Sequence, residues 1–123
     1  MGVKSALILW GVLTWYAGPY VDQPLRCGGV YDDSHTWIAV DMDALGPEWR
    51  CNDLARVTVG DDTMTLPILD SGYLNAHCVY YGSTCLPIVG DLPRHVWRWP
   101  GLSVQGSVEN LTGGLRARME AER

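Results

Sequence analysis

Apolar residues along this chain fall in short runs separated by turn formers, and the runs carry the period of strands rather than of helices. Residues 6–16 form a long apolar strand candidate, followed by a loop over 17–36 rich in Gly, Pro and Asp. Trp37-Ile38-Ala39-Val40 is a short strand that ends on Asp41, and 42–53 is loop again. Leu54 to Val59 alternates with β-branched residues, Gly60-Asp61-Asp62 makes a tight turn, and Thr63 to Leu69 returns, which predicts a hairpin. Ile88-Val89 is a further short strand. Leu92 to Trp97 predicts one or two helical turns, with Pro93 tolerated in the first. Leu102 to Leu111 alternates as a last strand, and Arg116 to Arg123 is a charged, weakly helical tail that frays. Short strands with one short helix indicate an all-β barrel or sandwich, and closing a small sheet into a barrel removes its edges.

The length of 123 residues suggests one domain, and a hydrophobic content of 47% is enough to build a core. Six Trp and six Tyr with no Phe suit both cores and sugar-stacking surfaces. A net charge of −5 and the lack of any basic run argue against nucleic acid. Four cysteines without a C-x-x-C pair argue against zinc, and His35, His77 and His95 are too scattered to be expected as metal ligands. An even count in a small chain favours two disulfides, for which three pairings exist. Cys27–Cys51 and Cys78–Cys85 is the favoured set, because the second bond closes a short polar loop that nothing else holds. Disulfides imply an oxidising compartment or an assembled extracellular particle.

At the N-terminus, one cation precedes an apolar run, as in a minimal signal peptide, but no small-x-small cleavage site follows. The run is too short to span a bilayer. Residues 1–10 are therefore read as an extension or as the start of the first strand, 11–111 as the domain, and 112–123 as the tail.

Leu-Pro-Ile-Leu-Asp-Ser-Gly-Tyr, residues 66–73, delivers one carboxylate, Asp70, from an apolar strand straight into a glycine turn. Such an aspartate is either a catalytic acid or an Asx-turn residue that accepts from its own backbone. Other segments bear on the choice. Gly11-Val12-Leu13-Thr14-Trp15-Tyr16 resembles the G-x-A-S-W-Y strand of the rare-lipoprotein-A-like barrels. Cys27 to Asp32 resembles their N-G-x-x-[YF]-[DN] turn, Trp37 to Asp41 sits where they have T-A-A-H, and Cys51 to Val59 is similar to F-G-T-x-[VL]-R-V-T-N. Ile68-Leu69-Asp70-Ser71-Gly72 resembles I-N-D-R-G, and Ile88 to Pro93 resembles the I-x-D-L-S segment. The resemblance covers residues 11–111 and implies a small six-stranded double-psi β-barrel, in a superfamily with expansins, that engages β-linked cell-wall polysaccharide, most of all peptidoglycan.

It also implies site residues. Asp70 matches the family's aspartate and would donate the proton in a lytic-transglycosylase-type cleavage, which needs no second carboxylate because the sugar's own hydroxyl closes the ring. The family's histidine falls on Asp41, which would act as base or pair with Asp70. Asp91 matches the D-L-S aspartate, and by its position before Leu-Pro it is also a helix N-cap candidate. Tyr16, Trp15, Tyr73 and Ser71 are the candidate sugar contacts, and Trp97 and Trp99 are secondary ones. No cofactor is implied. The lost histidine and the missing leader keep two alternatives in view. One is a non-catalytic, expansin-like binder. The other is a structural component of an extracellular particle, such as a virion, that assembles with other structural proteins.

Overall fold

The computed structural model describes residues 6–122, so the expectation for residues 1–5 lies outside it. Among the described residues, seven strands pair in the order β1-β7-β3-β4-β2-β6-β5, and a further β1–β6 pairing closes the first six into a mixed barrel. The strands are β1 Ile8–Tyr16, β2 Ile38–Val40, β3 Leu54–Val59, β4 Asp62–Ser71, β5 Cys78–Tyr81, β6 Thr84–Pro93 and β7 Ser103–Asn110. Two helices complete the chain, α1 Met42–Leu45 and α2 Leu111–Ala121. The expected all-β barrel of six strands is therefore present, with β5 attached outside it as the partner of β6.

Closure comes from two parallel pairings, β1 with β6 and β2 with β4, set among antiparallel ones. The interior is filled by Leu13, Ile38, Val40, Ala55, Val57, Leu66, Ile68, Leu92 and Val108, nearly all fully buried. Alternation explains the choice, since residues two apart on a strand share a face. Small residues are required where strands cross closely. A Cβ built on Gly106 would lie 2.5 Å from the Thr58 carbonyl oxygen, a backbone atom with no room to retreat. Gly106→Ala is expected to destabilise the barrel by about 1–3 kcal/mol, read as a lowered urea midpoint with an unchanged slope.

The expected β3–β4 hairpin is present, with a turn one residue tighter than expected: Val59 lies opposite Asp62 across Gly60-Asp61, and Gly60 takes the positive φ of 58° that the turn requires. Both expected disulfides are formed, Cys27–Cys51 and Cys78–Cys85.

Several expectations are corrected. The helical turns expected over 92–97 are not a helix; β6 runs on through Pro93 and a turn follows. Ile88-Val89 is the middle of that ten-residue strand. The loop between Cys78 and Cys85 is a second hairpin, turned at Gly82-Ser83, with Tyr81 opposite Thr84. Met42–Leu45, expected as loop, is a helix capped by Asp41. The tail expected from Arg116 is instead a helix that begins at Leu111, capped by Asn110 and tied to the barrel through Arg116 and Asp53. Among the described residues no helix is long and apolar enough to cross a membrane. The two disulfides fit an oxidising, extracytoplasmic setting.

Candidate functional site

The barrel's register sets four residues in one row across neighbouring strands. Thr14 on β1 pairs with Asp91 on β6, Asp91 pairs with Ala39 on β2, and Ala39 pairs with Asp70 on β4. Two carboxylates thus flank one methyl group, separated at their backbones by two strand spacings, or roughly 10 Å. Ala39 is buried and too small to fill the space above it. A cleft opens over this row, lined by Asp70, Asp91, Ala39, Ser71 and Gly72, with Tyr16, Tyr20, Tyr73, Leu74 and His77 around them. Its volume is about 300 Å³, at the small end of ligand clefts (about 300–1,000 Å³). Tyr73 is 80% exposed and Tyr20 56%, so two aromatic faces stand at its rim.

Asp70 is not consumed by its own turn. Its Oδ2 accepts the Tyr16 hydroxyl at 2.8 Å and its Oδ1 accepts the Arg26 backbone N–H at 3.0 Å. Gly72, in the turn itself, donates instead to the Val40 carbonyl. The Arg26 donor is held in place from both sides. The neighbouring Cys27 N–H donates to the Leu69 carbonyl and its sulfur is bonded to Cys51, while the Arg26 guanidinium grips Asp43 at 2.9 and 3.1 Å.

Asp91 differs from Asp70 in its surroundings. It accepts one side-chain hydrogen bond, from the Thr14 hydroxyl at 2.8 Å. Burial pushes its carboxyl up to about 6; the Thr14 bond opposes the shift and the charge of Asp70 adds to it. The N-cap role expected for Asp91 is absent, because no helix follows it.

Tyr16 lies between the two halves of the site. Its hydroxyl accepts the Trp37 indole N–H at 2.8 Å while donating to Asp70. Burial raises this phenol far above the ordinary range; the Trp37 bond opposes the shift and Asp70 adds to it, so the hydroxyl keeps its proton. The Tyr31 hydroxyl donates to the Tyr16 carbonyl and accepts the Arg94 N–H at 2.8 Å, which fixes the end of β1.

The remaining expected residues separate. Ser71 lines the cleft, with its Oγ accepting the Met42 N–H at 3.0 Å. Tyr73 stands at the rim. Trp15 is one residue out of phase with Thr14 and Tyr16, so it packs against the core instead, beneath the Arg94 guanidinium at 5.0 Å. Asp41 lines a separate, mainly apolar pocket with Trp10 and Ala44. Its two oxygens accept the Ala44 N–H at 3.2 Å and the Asn75 N–H at 2.9 Å, a clamp between α1 and the segment before β5. Trp97 and Trp99 meet edge to face at 5.1 Å within the core cluster. Sequence reasoning missed Tyr20, His77 and Ala39, and the donors Thr14, Trp37 and Arg26. Of these only Thr14 was readable, from its place two residues before Tyr16 on an alternating strand.

No protein-family model matches this chain, and no curated protein does either.

Proposed function

We propose that the protein is a double-psi barrel of the rare-lipoprotein-A-like type that binds cell-wall glycan in the Asp70–Asp91 cleft and cleaves it. The observation that carries this reading is the in-register row Thr14–Asp91–Ala39–Asp70 on the floor of an open cleft rimmed by Tyr20 and Tyr73. Cleaving a glycosidic bond requires a proton for the departing oxygen and a carboxylate facing the charge that develops on the sugar. The acid is assigned to Asp91 rather than Asp70, because burial lets Asp91 keep its proton up to about pH 6. Asp91 gives that proton to the leaving oxygen as the C–O bond breaks. Asp70 takes a proton from the incoming hydroxyl, which belongs either to water or to the sugar itself. The tyrosine faces at the rim supply stacking surface for sugar rings.

Digestion of purified sacculi tests the reading. The wild type is expected to release soluble muropeptides, and Asp70→Asn and Asp91→Asn to release none. A second reading, a binder that does not cleave, is favoured by one observation: Asp41, where the family has its histidine, is occupied as a structural clamp. Sacculi that retain the wild type but release nothing would establish the binder. Sacculi that neither retain the protein nor release fragments would exclude both readings and leave the particle component, which should form ordered multimers.

A further inference from the structure

Trp37 is fully buried, yet its indole nitrogen lies one hydroxyl away from the cleft. Its ring packs edge to face on Tyr31 at 5.0 Å, tilts against His35 at 4.8 Å and meets His95 at 5.4 Å, so the side chain is fixed on three sides. An indole N–H can only donate. The Tyr16 hydroxyl therefore receives a hydrogen bond from Trp37 and must direct its single proton elsewhere, and the acceptor within reach is Asp70.

We propose that Trp37 is a positioning residue of the cleft: through Tyr16 it holds the Asp70 carboxylate in one orientation. The chain Trp37 N–H, Tyr16 O–H, Asp70 Oδ2 runs in one direction only. A donor on the phenol oxygen also polarises its O–H, which strengthens the bond to the carboxylate. With the Arg26 N–H on Oδ1, Asp70 is gripped at both oxygens, which restrains rotation of its plane where it lines the cleft. Without the indole N–H the phenol oxygen loses the contact that fixes it and the polarisation that donor supplies, so the Tyr16 grip on Asp70 loosens. A preorganised group that loses its orientation costs rate rather than ground-state binding. This inference rests on the cleavage reading above for its kinetic consequence, but not for its geometry.

The test therefore has two arms. In the kinetic arm, Trp37→Phe keeps the ring and removes the donor. It is expected to lower kcat on solubilised glycan about tenfold or more, with KM within about twofold. Tyr16→Phe should lose at least as much, and the double variant no more than Tyr16→Phe alone, because Trp37 acts only through Tyr16. Unchanged kcat in Trp37→Phe, or losses that multiply in the double variant, would overturn the proposal. In the spectroscopic arm, Asp70→Asn is expected to move the Trp37 indole proton resonance, although no hydrogen bond joins the two residues directly. A resonance that stays in place overturns the relay whatever the protein cleaves. A resonance that moves, in a protein that cleaves no glycan, keeps the relay and sinks the cleavage reading instead.

Discussion

Asp91→Asn is expected to lower glycan cleavage by roughly 10²–10⁴-fold and, at the same time, to make the fold more stable above pH 6. Both effects have one cause. Burial raises the Asp91 carboxyl from 3.8 to about 6, so the folded protein holds a proton there that the unfolded chain has already released. Between about pH 4 and pH 6 the folded state binds more protons than the unfolded state. Stability therefore falls as pH rises through that window, and the loss is complete above it. A shift of about two units corresponds to about 3 kcal/mol. Asn offers Thr14 the same acceptor oxygen and carries no charge to bury, so the variant should lose this pH dependence. Urea unfolding at pH 5 and pH 8 reads it directly: the wild type weakens between the two and the variant does not. The wild-type pH–rate profile should fall above about pH 6 as Asp91 ionises. A profile flat to pH 8, or a variant no more stable than the wild type at pH 8, would remove the acid role from Asp91.

The hairpin over 54–71 was legible because its alternation is local and its partner lies across a tight turn. The strand over 8–16 was legible from its own apolar run, although its partners, β6 and β7, lie far along the chain. Asp70 was legible from local sequence too, as the carboxylate at the end of a strand. Of the two readings of Asp91, the helix cap fails because Asp-Leu-Pro is only a local signal, whereas its environment is a register that joins residues 14, 91, 39 and 70. No window along the chain contains that row. Pro87 and Pro93 made β6 look short, yet Pro87 lies before the first contact with β1 at Ile88 and Pro93 ends the strand, so each falls at an end of the parallel ladder. The Gly82-Ser83 turn was a readable hairpin signal, obscured by treating the disulfide as the only restraint on that loop. In α2, Gly113 and Gly114 hid a helix. Gly113 is required there, since a Cβ would lie 2.7 Å from the amide nitrogen of Asn110, whose Oδ1 caps the same helix.

Arg116→Ala should be the most destabilising single truncation outside the apolar core. The Asp53 side chain is only 4% exposed, and Arg116 holds both of its oxygens at 2.7 Å. Asn110 donates to the same carboxylate at 3.0 Å, as does the Arg50 N–H. Burial alone would push Asp53 up, but Arg116 and then Asn110 and Arg50 outweigh it, so the carboxyl is held below its ordinary value. Removing Arg116 leaves a charge in place with too few partners, a loss of about 3–5 kcal/mol, or roughly 10–20 °C in Tm for a chain of this size. The pH dependence has the opposite sign to that of Asp91. A depressed carboxyl contributes stability that is present above the unfolded value near 4 and lost as pH falls through the folded value. The gap between variant and wild type should therefore be widest at neutral pH and close in acid. Replacing both partners, as in Asp53→Leu with Arg116→Met, should cost less than Arg116→Ala, since no unpaired charge remains. Thermal melts of the three proteins at pH 7 and pH 3 decide it: a shift under a few degrees in Arg116→Ala would mean that α2 is held to the barrel by something other than this ion pair.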